Sequence, residues 1–380
     1  MATIAYSLSG EGRGHATRVL AMVEQLRKQH RIVVFASGDG FELLSRVYAG
    51  SEVDVRQIPG LHFVYDETGR TQNVMTGLSA VGFLRKLNRR ARSIAELLER
   101  EHVDLVISDF ESILIRAAEF SRVPYIIFDH QHFLLACDLR WLPITLRLQV
   151  FTMKCAISIA FGRRPIHTIV SSFFFLPLLP GLENVTQIGT LVHPEVAAAR
   201  ISDEGHVVAY FRRTLTPRCY RALRHCGADV HLYGLGEKPR DGNIFYHRTD
   251  IHRFVESLAA SRALVCTAGN QIIGEAFYLK KPVLAVPEVN NMEQRINGFV
   301  LGASRAGLCV LEDGIESAHV RRVLERAELF RHGDSRSVGA TDIALRIVES
   351  SLSPGSRRPS ATFRSGTALA PADRGREIDS

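Results

Sequence analysis

The sequence predicts an α/β protein of two doubly wound domains facing across a cleft, with a disordered C-terminal tail. Three observations carry this. The chain has 380 residues, enough for two compact α/β domains and long for one. Short β-branched runs alternate with helical patterns over residues 3–128 and again over residues 207–286, which implies parallel sheets with right-handed crossovers. From Ser353 onward Ser, Pro, Arg, Gly and Ala dominate, a composition too poor in large apolar residues to build a core.

Composition narrows the class. Hydrophobic residues make up 46% and charged residues 23%, with a formal net charge of +7. That mild excess suits phosphate-bearing substrates or an anionic membrane surface. Neither zinc-finger spacing nor an RNP-like aromatic strand points to nucleic acid. The cysteines Cys137, Cys155, Cys219, Cys226, Cys266 and Cys309 form no C-x-x-C pair, so reduced thiols in a cytoplasmic protein are expected. The N-terminus runs straight into a strand pattern, so no signal peptide is expected. No apolar run is long enough for a transmembrane helix.

In order, Thr3–Leu8 reads as a strand ending in the glycine loop Gly10-Glu11-Gly12-Arg13-Gly14-His15. Residues 16–29 carry Val19, Leu20, Val23 and Leu26 at helical spacing. Arg31–Ala36 is the next strand, ending at Ser37-Gly38-Asp39. Residues 103–108 and 125–128 are short buried strands, followed by Asp109 and by Asp129-His130-Gln131-His132. Residues 1–190 thus form one Rossmann-like domain and 191–205 a linker containing Pro194. Residues 206–345 form a second such domain, with strands at 207–211, 229–232, Ala263–Cys266 and 283–286. Ala340–Leu352 reads as the last ordered helix, and residues 353–380 as the tail. Ligands in such sheets bind beyond the carboxyl ends of the strands, so the residues following each strand are the candidates.

The richest segment follows the strand Ala263–Cys266. Thr267-Ala268-Gly269-Asn270-Gln271 is a turn of small and polar residues, and a helix then carries Glu275 one turn in. Backbone N–H groups at a helix N-terminus suit a diphosphate, glycine permits close approach, and a carboxylate can accept two hydrogen bonds from a ribose diol. The segment continues through Lys281-Pro282 and the next strand to Pro287, then Glu293-Gln294 and Asn297-Gly298. Polar groups placed there can read sugar hydroxyls. A single glycine turn is an ordinary βα connection; the combination is what carries weight.

These residues resemble the donor-binding signature of GT-B glycosyltransferases. The similarity is strongest to the UDP-sugar-dependent branch that includes the lipid-II-forming N-acetylglucosaminyltransferase, and it extends more weakly over about residues 1–345. The resemblance implies two Rossmann-like domains and a UDP-sugar donor, with no further cofactor. It implies diphosphate contacts from Gly269 and Asn270, within a donor motif that also includes Gln271 and Asn297. Glu275 would hold the ribose, and Glu293 and Gln294 would face the sugar. Phe254 lies where the family's backbone meets uracil, and Arg212 is a candidate phosphate contact. The sequence departs from the family at Phe211-Arg212-Arg213-Thr214, where a Gly- or Ser-rich loop is usual.

Transfer requires the acceptor hydroxyl to lose a proton, and a histidine near neutrality suits a general base. His15 opens a helix at the expected cleft, where the resemblance also places the base, and Asp109 is positioned to orient it. Gly12, Arg13 and Gly14 complete an acceptor-side loop. Other roles stay open: His15 as a helix cap or phosphate ligand, Asp109 as a plain N-cap, and His130 and His132 as metal ligands lacking a third partner. No D-x-D motif occurs, so no metal is expected, and leaving-group charge falls to the helix N-terminus and arginines.

The leading expectation is inverting hexosyl or N-acetylhexosaminyl transfer from a UDP-sugar to a hydroxyl of a lipid-linked or glycan acceptor. Competing readings are a UDP-N-acetylglucosamine 2-epimerase-like enzyme, a non-catalytic nucleotide-sugar-binding subunit, and a nicotinamide or flavin enzyme using Asp39. Two basic amphipathic stretches, residues 84–92 and 139–164, suit peripheral docking on the cytoplasmic face of an anionic membrane.

Overall fold

The computed structural model describes residues 1–10, 13–60, 73–161, 164–212, 214–248, 250–330 and 338–353. The first domain contains strands β1 (Thr3–Leu8), β2 (Arg31–Ala36), β3 (Asp54–Gln57), β4 (Leu105–Asp109), β5 (Tyr125–Asp129), β6 (His167–Ser171) and β7 (Val185–Ile188). Its helices are α1 (Arg13–Leu26), α2 (Gly38–Val47), α3 (Asn73–Arg100), α4 (Ser112–Ser121), α5 (Phe133–Ala136) and α6 (Ile144–Ala160). The short helix α7 (Pro194–Ala198) lies in the linker. The second domain contains β8 (Val207–Tyr210), β9 (Val230–Tyr233), β10 (Ile244–His247), β11 (Ala263–Cys266), β12 (Val283–Ala285) and β13 (Leu308–Cys309). Its helices are α8 (Pro217–Arg224), α9 (Ile251–Ala260), α10 (Asn270–Tyr278), α11 (Met292–Ala303) and α12 (Ser317–Glu325), and α13 (Ala340–Leu352) closes the described chain.

Both sheets are parallel, in the orders β3-β2-β1-β4-β5-β6-β7 and β10-β9-β8-β11-β12-β13. Each order reverses once, between β1 and β4 and between β8 and β11. Those reversals open the crevices where doubly wound sheets bind ligands. Central strands such as β4 and β5 are buried along their whole length because helices cover both faces, which is why they read as continuous apolar runs rather than alternating ones.

Two boundaries differ from expectation. β4 continues through Asp109, and Phe110 then takes a left-handed φ of 54°. The N-cap of α4 is therefore Glu111, whose carboxylate accepts from the Ile113 and Leu114 amides at 2.7 Å each, and Asp109 is released from capping. Helix α13 packs Ala340, Ala344, Ile347 and Val348 into the core built on β1, β2 and α1. The chain thus returns to the first domain from residue 340, inside the span expected to belong to the second. Beyond Ser353, the expected tail lies outside the described residues.

The domains are joined by packing as well as by the linker. Phe173, after β6, meets Phe277 of α10 edge-on at 5.8 Å. The Asn270 amide donates to Ser171 O and accepts from Phe173 N, both at 3.1 Å. A Cβ on Gly274 would fall 2.0 Å from Thr190 Oγ1, so glycine lets the end of the first domain lie directly on α10.

Candidate active site

The two crevices open into one interdomain cavity of about 950 Å³. From the first domain it is lined by His15 and Arg18 of α1, Phe110 and Glu111 after β4, and His130 and Gln131 after β5. From the second it is lined by Thr267, Gly269, Gln271, Glu275, Glu293 and Gln294. Its apolar wall comes from Phe83 and Leu84 of α3 and Met153, Ile157 and Phe161 in and after α6.

On the first-domain side, His15 lies in the first turn of α1, and its Nδ1 donates to Asp109 Oδ1 at 2.7 Å. The expected pairing partner is thus brought to His15 from 94 residues away, because β1 and β4 are adjacent strands. Asp109 is fully buried. Arg18 grips the same carboxylate through Nε to Oδ2 at 2.7 Å and Nη2 to Oδ1 at 2.9 Å. Burial pushes the Asp109 carboxyl up, but Arg18 and His15 outweigh it and hold the group below its ordinary value. Gly14 approaches α10 so closely that a Cβ there would lie 3.3 Å from Gln271 Cβ. Gly12 and the side chain of Arg13 lie outside the described residues.

On the second-domain side, Ala268 takes a left-handed φ of 63° and Gly269 caps α10 with no side-chain bond to the helix amides. Those first-turn N–H groups face the turn, an arrangement that favours an anion. Glu275 is buried one turn in, where Gln271 Nε2 donates to its Oε1 at 2.8 Å. Burial pushes the Glu275 carboxyl up to about 7 against that bond. Gln131 Nε2 donates to Glu293 Oε2 across the cleft at 2.9 Å, and Gln294 Oε1 accepts from the Glu288 amide at 3.0 Å.

Four residues expected at the donor also make contacts within the protein, and Arg212, Phe254 and Asn270 among them line the cavity. The Asn270 side chain is spent on the domain junction, leaving its backbone to face the turn. Asn297 is fully buried; its Nδ2 donates to Ala268 O at 3.1 Å and its Oδ1 lies 3.0 Å from His130 Nε2. It braces the turn from behind. The Phe254 amide is engaged inside α9, donating to Asp250 O at 2.9 Å, because Asp250 caps that helix. Its ring instead packs against Tyr210 and Tyr233. Arg212 pairs with Asp39 of the first domain at 2.8 Å, which also occupies the acid that a dinucleotide reading requires.

His130 and His132 have different partners, Asn297 and Asp129, and among the described residues no group of three or more His, Cys, Asp or Glu could hold a metal ion. His132 Nδ1 donates to Asp129 at 2.7 Å, while burial pushes the His130 imidazole below its ordinary value. Three features escaped the sequence reading: Arg18, Glu111 and the apolar wall. Arg18 follows His15 by one helical turn, a spacing that could have flagged it.

The fold is that of GT-B glycosyltransferases. The sequence profile described as glycosyl transferase family 1 matches residues 2–327, and the chain belongs to that family. No curated protein sequence matches significantly. Among solved structures, LpCGTa in complex with UDP is 16% identical with a TM-score of 0.63, over 93% of this chain and 99% of that one. CalG4, the calicheamicin glycosyltransferase, is 18% identical with a TM-score of 0.61, over 93% and 98%. MurG of Acinetobacter baumannii is 14% identical with a TM-score of 0.55, over 92% and 99%.

Proposed function

We propose that this glycosyltransferase moves a hexosyl or N-acetylhexosaminyl group from a UDP-sugar to an acceptor hydroxyl, with inversion and without a metal. The observation that carries the reading is the opposition of His15–Asp109 to the α10 N-terminus and Glu275 across one cavity. The hydroxyl oxygen attacks the anomeric carbon, its proton passes to His15 Nε2, and the bond to the β-phosphate breaks with its electron pair leaving on UDP. Developing phosphate charge meets the α10 amides. The UDP held by one neighbour of the same fold agrees with this donor class. A thermal-shift screen over nucleotides tests it: UDP and UDP-sugars raise the melting temperature, and stabilisation by NAD alone would overturn the reading.

We infer further that the acceptor is lipid-linked and met at an anionic membrane surface. Among the described residues no helix is long and apolar enough to cross a membrane. Helix α6, however, has two apolar faces. Met153 and Ile157 line the cavity. Ile144, Leu148, Phe151 and Ile159 are 63, 65, 67 and 60% exposed, and with Cys155 they form one helical stripe. No Asp or Glu occurs between Asp138 and Glu183, whereas Arg140, Arg147, Lys154 and Arg164 do. Exposed Arg85, Lys86, Arg89 and Arg92 of α3 add to that charge. Such a face suits anionic headgroups. The protein should co-sediment with phosphatidylserine-containing vesicles at low salt and be released by high salt. Phe151→Asp should weaken capture, and no capture at low ionic strength would exclude the surface.

A further inference from the structure

We propose that Arg18 is a positioning residue that serves as the permanent counter-ion of Asp109, so that His15 does not have to. The inference rests on the reading of His15 as the base and assigns a role to a third side chain beside it.

The geometry is that of a closed ion pair. Arg18 is 2% exposed and Asp109 0%. The guanidinium reaches both carboxylate oxygens through Nε and Nη2, at 2.7 and 2.9 Å, the planar fork that suits a carboxylate. His15 Nδ1 shares Oδ1 at 2.7 Å, and Arg18 Nη2 lies 3.4 Å from that same nitrogen. Histidine, carboxylate and guanidinium therefore form one compact group. With a neutral imidazole its net charge is zero; with an imidazolium it is +1.

The consequence follows from burial. A carboxylate removed from water needs a cation. If His15 were the only candidate, the stable state would be imidazolium–carboxylate, in which the imidazole cannot accept a proton. Arg18, charged at every working pH, fills that role. Its charge beside Nδ1 also opposes a second cation. Asp109 is left to fix the tautomer, with Nδ1–H bound and Nε2 basic.

Of the neighbouring ionisable groups, Tyr6 has a buried hydroxyl without a hydrogen-bond partner among the described residues, and the carboxylates have partners of their own. Tyr6 on β1 and Asp129 on β5 also reach Arg18 electrostatically, but Asp129 is occupied by the His132 ring and amide, at 2.7 and 2.9 Å. Glu111, beyond β4, caps α4. Of the helices packed on α1, α2 brings Asp39, held by Arg212; α10 brings Glu275, held by Gln271; and α13 brings Glu349, held by His30.

The test is the protonation midpoint of His15, read by NMR on histidine-labelled protein and assigned with His15→Gln. In Arg18→Met the midpoint should rise by about one pH unit, while Arg18→Lys, which keeps the charge, should hold it close to wild type. UDP release from UDP-glucose or UDP-N-acetylglucosamine, with water as acceptor, should fall about tenfold on the acid side in Arg18→Met and recover as pH rises. An unmoved midpoint in Arg18→Met overturns the proposal. Should that variant not fold, Arg18→Met/Asp109→Asn buries no lone charge. Its midpoint should not rise, and a rise there also overturns the proposal. Full UDP release by His15→Ala would instead remove the base assignment while leaving the midpoint result intact, so the two failures are separable.

Discussion

His15→Ala should lower glycosyl transfer, and UDP release to water, by about 10²- to 10⁴-fold, the usual contribution of a positioned general base. UDP affinity should stay within about twofold. The split follows from the architecture. His15 belongs to α1 and is fixed by Asp109 from β4, whereas the turn and carboxylate proposed for the donor belong to α10. Removing the imidazole leaves the α10 amides and Glu275 in place. Titration calorimetry with UDP and initial rates of UDP release measure the two terms separately. A loss of UDP binding parallel to the loss of rate would show that His15 binds phosphate instead. Unchanged rates would show that it is only part of the helix start.

Much of this arrangement was legible in the sequence for one reason: parallel strands buried on both faces leave apolar runs, and the residues that end them lie at the ligand-binding edge. Thr3–Leu8 and Arg31–Ala36 appear with the limits their apolar runs predict. His15 and Asp109 were both found because each follows such a run. What stayed hidden depends on contacts distant in sequence. Spacing puts Arg18 one turn from His15, but its bonds to Asp109 depend on β1 and β4 being adjacent. Asn270 and Asn297 carry motif positions, yet their amides hold the domain junction and the back of the turn. A motif records that a residue type is required without saying which neighbour requires it. Helix α13 shows the same limit: its apolar stripe predicts burial, and nothing local says against which domain.

Glu275→Gln should weaken UDP binding by about 10- to 100-fold, the worth of hydrogen bonds to a charged group, and at the same time stabilise the apo protein above neutral pH. Both effects come from one environment. Burial pushes the Glu275 carboxyl up to about 7 from an ordinary value of 4.5, so the folded state binds more protons than the unfolded chain between those values. Stability therefore falls as pH rises through that window, by on the order of 3 kcal/mol in full, and the penalty is absent below it. A neutral amide carries no such penalty. The melting temperature of Glu275→Gln should thus exceed wild type at pH 8 and match it near pH 4.5. Glu111, also pushed up to about 7 by burial, remains in both proteins and contributes equally. UDP binding has the opposite slope, since ribose hydroxyls donate best to the ionised carboxylate. Wild-type affinity should rise from pH 5 to pH 8 more steeply than that of Glu275→Gln, the difference cancelling the titration of the nucleotide itself. Equal slopes, or a variant less stable at pH 8, would place the ribose elsewhere and return Glu275 to the core. Different slopes would mean that α10 holds its carboxylate at a cost in stability that the donor's hydroxyls offset on binding.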